Sequence, residues 1–181
     1  MDGFVLSLEF SEEEFPPLLD ISSLFYDLEL AHDFGALISD REYQNYNFDR
    51  FFWYRNGRPV PQWNRIKTAR ISKASPLILE VVVPSLGALW ILIQIIEKVA
   101  DRPLLREKLE REVAKLRADE IIRRASAADL HVEFMERLNR DDSARHVLDH
   151  IEQRLRSNSI KIVNADLNRF TASSNDSEYE D

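Results

Sequence analysis

His146 and His150 fall one helical turn apart, a spacing that would put both imidazoles on one face of a helix with Asp142 and Asp149 as carboxylate neighbours. A zinc-protease helix would also need a glutamate directly after the first histidine, and Val147 stands there instead. The expectation is a solvated helix face carrying two ordinary histidines. His32 and Asp33 open the tetrapeptide HDFG, but no glycine-rich loop or HRD-type catalytic loop accompanies it. Adjacent side chains on a helix diverge, so a capping or surface role is expected for this pair. His131 has no companion. Glu80 is expected to be a strand-end carboxylate that reaches solvent or pairs with a base, the sharper alternative being a buried acid.

Other chemistries are excluded by what the chain lacks. It has no cysteine, so disulfides, thiolate metal sites and cysteine nucleophiles are out. Gly3, Gly35, Gly57 and Gly87 are each isolated, which removes the clustered-glycine loops that cradle phosphates. No serine lies in a G-x-S-x-G elbow. No catalytic residue, metal site or cofactor is therefore assigned, and a non-enzymatic protein is expected.

Charge is more informative. The net charge of −8 argues against general nucleic-acid binding, yet from Arg50 to Leu79 there is no acidic residue at all. Within that stretch Arg55, Arg58, Arg65 and Lys67 stand beside Trp53 and Trp63, with Arg50, Arg70 and Lys73 flanking them. Guanidinium pairs with phosphate and rings stack on bases, so these six residues are candidates for an anionic ligand: a lipid headgroup, a nucleotide or RNA. The competing reading makes the aromatics core and lets the bases neutralise acidic helices or an acidic partner.

The most apolar stretch is SPLILEVVVPSLGALWILIQIIEKV, from Ser75 to Val99. Between Glu80 and Glu97 its uncharged run is 16 residues, short of the roughly 20 that span a bilayer. Lengthening it would bury Glu80 in hydrocarbon at about 2.5–3.5 kcal/mol, and Pro84 and Gly87 interrupt it. A buried strand followed by a buried helix is the expectation. So apolar a helix needs cover on most sides, which a second copy or a partner would supply.

These pieces must be positioned by a few elements. Phe4, Leu6, Leu8 and Phe10 alternate with polar residues as in a strand with one buried face. Ser11 and Glu14 have capping-box spacing, but Pro16 and Pro17 limit any helix there to a turn. A helix capped somewhere between Asp20 and Ser23 follows, with Ile21, Leu24, Phe25, Leu28 and Ala31 as its apolar stripe; Leu24, Tyr26, Leu28 and Leu30 also alternate, the pattern of a strand. Asn56-Gly57 marks a tight hairpin between two extended arms. RIKTARIS and LILEVVV read as strands, the second buried on both faces. Ser85 caps the apolar helix, and Asp101 with Pro103 begins another. Leu105, Leu109, Val113 and Leu116 form a narrow stripe on it. A third helical stretch, about Leu130 to Leu155, breaks near Asp141 and Asp142. SIKIVNA then returns as an edge strand, and the polar, acidic TASSNDSEYED is a disordered tail.

The fold class expected is α+β: a small N-terminal sheet (strand, helix, hairpin or strand, strand) packed on an apolar helix, then a long amphipathic helical arm. The divisions are 1–100, 101–156 for the arm, 157–170 for the returning strand and 171–181 for the tail. The expected function is a protein-interaction or assembly module, an adaptor that self-associates or docks a partner through Leu89, Trp90 and Ile93 of the apolar helix and Leu105, Leu109, Val113 and Leu116 of the arm. One alternative is a membrane-associated effector or anchor with residues 76–96 inserted; another is a phosphate-ligand or RNA binder using residues 50–73. The acidic start lacks the basic and apolar regions of a signal peptide, so a cytoplasmic location is expected.

Overall fold

The computed structural model describes residues 3–11, 17–43, 45–53, 59–72, 77–101, 103, 105–118 and 127–170. Among them the chain is α+β. Strand β1 (Gly3–Phe10) leads to helix α1 (Leu18–Ser39) and three short 3-10 turns (Arg41–Tyr43, Phe48–Trp53 and Gln62–Asn64). Strands β2 (Lys67–Ser72) and β3 (Ile78–Val83), helices α2 (Leu86–Ala100), α3 (Arg106–Ala118), α4 (Ala127–Arg140) and α5 (Asp142–Ser157), and strand β4 (Ile162–Phe170) follow. The sheet is antiparallel throughout, in the order β2-β3-β1-β4. The expected returning strand thus lies on the β1 edge.

The two-residue period of β1 does what its spacing predicts: Phe4, Leu6, Leu8 and Phe10 are buried and pair across with Val83, Val81 and Leu79 of β3 and with Leu167 and Ala165 of β4. The same alternation governs β3, where only Leu79, Val81 and Val83 are buried. Ile78, Glu80 and Val82 on the other face are only half-buried, so β3 is not enclosed on both sides as its β-branched run suggests.

Helix α2 is the centre of the core. Ser85 caps it, accepting from Ala88 N at 3.2 Å. It touches α1, α3, α4, α5 and strands β1, β3 and β4. Ala88, Leu89, Trp90, Ile91, Leu92, Ile93, Ile95 and Ile96 are all buried by the chain itself. The cover assigned to a second copy is therefore internal, and α2, at about 1.5 Å per residue, is too short to cross a bilayer. No helix among the described residues is long and apolar enough to do so. Residues 77–96 divide into a strand and a buried helix.

Helices α1 and α2 approach closely because glycine allows it. A Cβ on Gly87 would lie 2.6 Å from Ser39 Cβ and Oγ, and one on Gly35 would lie 3.0 Å from Ala88 O. Beyond Ala31 the helix is enclosed on every side up to Ile38, not amphipathic. It begins at Leu18, directly after Pro17, a full turn before part of the expected capping range. Pro17 has φ −56° and ψ 139°, an extended entry that needs no N–H. Its far end is held by Arg137 of α4, which donates to Ile38 O at 2.7 Å and to Asp40 O and Tyr43 O. Burial lowers the Arg137 pKa, partly offset by Asp141 and Asp40.

The C-terminal helices are not a projecting arm. Leu105, Leu109 and Val113 are buried, with α3 against α2 and β4. Asp101 is no N-cap: at φ 54° and ψ 35° it is the left-handed C-cap of α2. The start of α3 is held by Glu97, whose Oε1 accepts from both Leu105 N and Arg106 N at 2.8 Å. Asp141 does cap α5, accepting from Ala144 N. Phe48 and Phe51 are core residues set edge-on to Phe34. They lie in a 3-10 turn, so the arm expected before Asn56-Gly57 is not extended. The Asn56-Gly57 turn itself, the Ser11 to Glu14 capping box and the 171–181 tail lie outside the described residues.

Candidate interaction surface

Strand β2 ends the sheet, and no described strand pairs with its outer edge. Five of its six residues are exposed on both faces. Two features arrange its charges. Its ladder with β3 shifts between Thr68 and Arg70, leaving Ala69 as the extra residue of a bulge. Lys67 therefore stands opposite Val82 and Arg70 opposite Glu80, both on the open face of the sheet, although three positions separate them. Thr68 and Ile71 face the other way, opposite the core residues Val81 and Leu79, yet Ile71 is 45% exposed.

Before β2, the turn Gln62–Asn64 carries Trp63, which is 58% exposed while its neighbour Asn64 is buried. Asn64 N donates to Pro61 O at 2.9 Å, and Arg65 Nε to Val60 O at 3.0 Å. Those bonds turn Arg65 back toward the chain and fix the approach to β2. The result is an edge strand, unpaired on its outer side by any described strand, with an indole before it, two cations on one face and an isoleucine on the reverse. Glu80 is half-buried in the middle of β3, not at a strand end as expected, and stands across from Arg70 and Ser7.

Of the six anion-binding candidates, Trp63, Arg65 and Lys67 are described here: Trp63 and Lys67 are exposed, with Arg70 on the same face as Lys67, while Arg65 is bonded back to Val60 O. Arg55 and Arg58 lie outside the described residues, as does the side chain of Trp53. The candidate docking residues Leu89, Trp90, Ile93, Leu105, Leu109 and Val113 are inside the subunit and present no surface; the Leu116 side chain is not described. What sequence reasoning missed is Leu18 and Leu19 at the start of α1, 80% and 75% exposed. Their signal was their place directly after Pro16 and Pro17, at the first turn of a helix.

The histidines resolve simply. His146 and His150 are exposed on α5, with the His150 ring 4.9 Å from that of Phe52, and no described group of His, Asp and Glu could hold a metal. His32 and Asp33 are buried rather than capping or superficial, with Nδ1 and Oδ1 3.4 Å apart. His32 has no exposed surface, so no solvent-borne substrate meets it.

Three concave regions can be described, one of them a polar recess of about 560 Å³ between the end of α1 and α4, lined by Asp40, Glu136, Arg137 and Arg140. A cleft of about 740 Å³ between α2, α4 and α5 is floored by Ile95, Phe134, Leu138 and Leu148. On its rim Lys98 pairs with Glu152 at 2.7 Å, and Arg106 with Glu97 and Gln94. A polar recess of about 290 Å³ holds Asp27, paired to Arg154 at 2.6 Å. Burial raises the Asp27 pKa above 3.8, and the Arg154 hydrogen bond and charge, with His150, oppose the rise. Asn158 closes that recess by donating to Asp20 O and Ser23 Oγ. The Asp27 recess reads as an internal clasp. No protein-family model, curated protein or solved structure matches this chain.

Proposed function

We propose that the chain is a non-enzymatic interaction module that receives an extended, acidic partner segment along β2. The observation that carries the reading is the outer edge of β2, with which no described strand pairs, beneath Lys67, Arg70 and exposed Trp63. An added strand would gain main-chain hydrogen bonds from the edge, and its alternate side chains would meet the two cations on one face. Trp63 offers a ring at the end of the strip, the residue type most often found as an interface anchor.

Lysine on an edge strand also discourages pairing with like-charged edges. An acidic segment escapes that repulsion, so the charge selects the partner. The test is titration of the protein with a synthetic heptapeptide alternating glutamate and valine. Binding should weaken with salt, and Lys67→Glu with Arg70→Glu should lower affinity about tenfold or more, since each reversal replaces an attraction with a repulsion of similar size. N-methylating alternate peptide nitrogens should abolish binding if the edge is used. Equal binding by the N-methylated peptide, or binding unaffected by the double reversal, would refute the reading. Single-stranded RNA competing at the same residues would assign the strip to nucleic acid instead.

A further inference from the structure

The bulge in β2 fixes what an arriving strand must look like. We infer that the segment received by β2 is amphipathic with a two-residue period: carboxylates at alternate positions on the side of Lys67 and Arg70, and apolar side chains between them on the side of Ile71. Resting on the reading of β2 as a receptor edge, this names the class of segment that fits it.

Lys67 and Arg70 stand three positions apart in sequence, and on a regular strand an odd separation puts two side chains on opposite faces. Here Thr68 pairs with Val81 and Arg70 with Glu80, so Ala69 and Arg70 together take the place of one residue. Measured on β3, the two cations stand opposite Val82 and Glu80, two positions apart, or about 7 Å along the strand. A regular strand laid on the outer edge meets that spacing as β3 does, with side chains i and i+2, never i and i+3. Both cations are exposed, and among the described residues neither forms an ion pair.

The reverse face asks for the opposite chemistry. Thr68 and Ile71 lie opposite Val81 and Leu79, both buried in the core, and Ile71 is 45% exposed. An added strand extends that face of the sheet by one row, with its i+1 and i+3 side chains beside Thr68 and Ile71. An apolar side chain next to Ile71 takes the exposed part of the isoleucine out of water. A segment acidic at every position satisfies the two cations but sets a carboxylate beside Ile71, where it is partly desolvated without a counter-charge. Alternation, rather than total charge, therefore selects the segment.

Calorimetric titration of the full chain with three heptapeptides tests this. Val-Glu-Val-Glu-Val-Glu-Val carries the expected pattern. Glu-Val-Val-Glu-Val-Val-Glu has the same composition and charge with its carboxylates three apart, and Ser-Glu-Ser-Glu-Ser-Glu-Ser keeps the carboxylates but has no apolar side. The first should bind most tightly and each of the others about fivefold or more weakly, the scale of one or two lost cross-strand pairs. Ile71→Thr, a substitution suited to an exposed strand position, should weaken the first peptide about threefold and leave the serine peptide unchanged. Equal binding of the two valine peptides, with N-methylation still abolishing it, would overturn the alternation and leave the β2 reading standing. So would a serine peptide bound as tightly as the first, or an Ile71→Thr variant that binds the first peptide as the wild type does. If none of the three binds, or if the N-methylated first peptide binds as well as the plain one, the β2 reading and the alternation fall together.

Discussion

Truncating Glu97 should loosen the junction of α2 and α3 more than any exposed ion pair could. The carboxylate is only 5% exposed, and its Oε1 accepts from Leu105 N and Arg106 N at 2.8 Å, while Oε2 lies 3.5 Å from Arg106 Nε. In Glu97→Ala the N–H of Leu105, a buried residue, loses its acceptor, at about 1–3 kcal/mol. The Arg106 N–H is part-buried and can turn to water, and the half-exposed Arg106 side chain contributes about 0–1 kcal/mol at most. Relief of the buried charge works in the opposite direction. The net loss is about 2 kcal/mol, on the scale of the stronger helix caps. Glu97→Gln keeps a carbonyl oxygen in place but loses charge assistance, which roughly halves such bonds, so it should cost about 1 kcal/mol. Urea unfolding followed by circular dichroism would show the midpoint falling by roughly 1 M for the alanine variant with the slope unchanged. An alanine variant within about 0.5 kcal/mol of wild type, the ordinary scatter of surface changes, would refute the reasoning. So would a glutamine variant as unstable as the alanine one.

Gly87→Ala should destabilise by about 1–3 kcal/mol through overpacking against Ser39, and Ser39→Gly in the same chain should recover much of it. A double-mutant cycle with no coupling would show that the helices do not touch there. For Asp27 the folded pKa is raised, chiefly by burial, so the folded state holds its proton to higher pH than the unfolded chain. Stability on this account is present below pH 3.8 and falls as pH rises from there through the folded pKa. Asp27→Asn should therefore flatten the melting-temperature profile above that pH, whereas a constant offset between variant and wild type would contradict the shift. Asp166 runs the other way: its hydrogen bond from Lys108 lowers its pKa, so its contribution is lost as pH falls through the lowered folded value. Both partners are half exposed, and Lys108→Met should change stability by less than about 1 kcal/mol in thermal unfolding.

Local signals in the chain were legible where the physics is local. Alternation at Phe4 to Phe10 announced β1, Ser85 announced a helix start, the break near Asp141 and Asp142 fell where α4 gives way to α5, and the returning strand was placed within 157–170, where β4 runs over Ile162–Phe170. The α+β class followed from that order. What could not be read were contacts between residues far apart in sequence. Arg137 ends α1 from 99 positions away from Ile38, and Gly87 matters because Ser39 lies against it. Asp101 resembles an N-cap beside Pro103, but the Glu97 side chain already serves the α3 amides, which frees Asp101 to end α2. The apolar helix looked as if it needed a partner because neither α1 nor α5 advertises in sequence that it packs on α2. For the candidate site, the acid-free stretch was visible at once. The bulge that turns Lys67 and Arg70 to one face, and the exposure of Leu18 and Leu19, were not.

The most direct measurement is amide hydrogen exchange of the full chain with and without the acidic heptapeptide. Slowed exchange confined to Lys67–Ser72 and the turn around Trp63 is the predicted result. Protection confined to the cleft between α2, α4 and α5, with β2 unchanged, would contradict it.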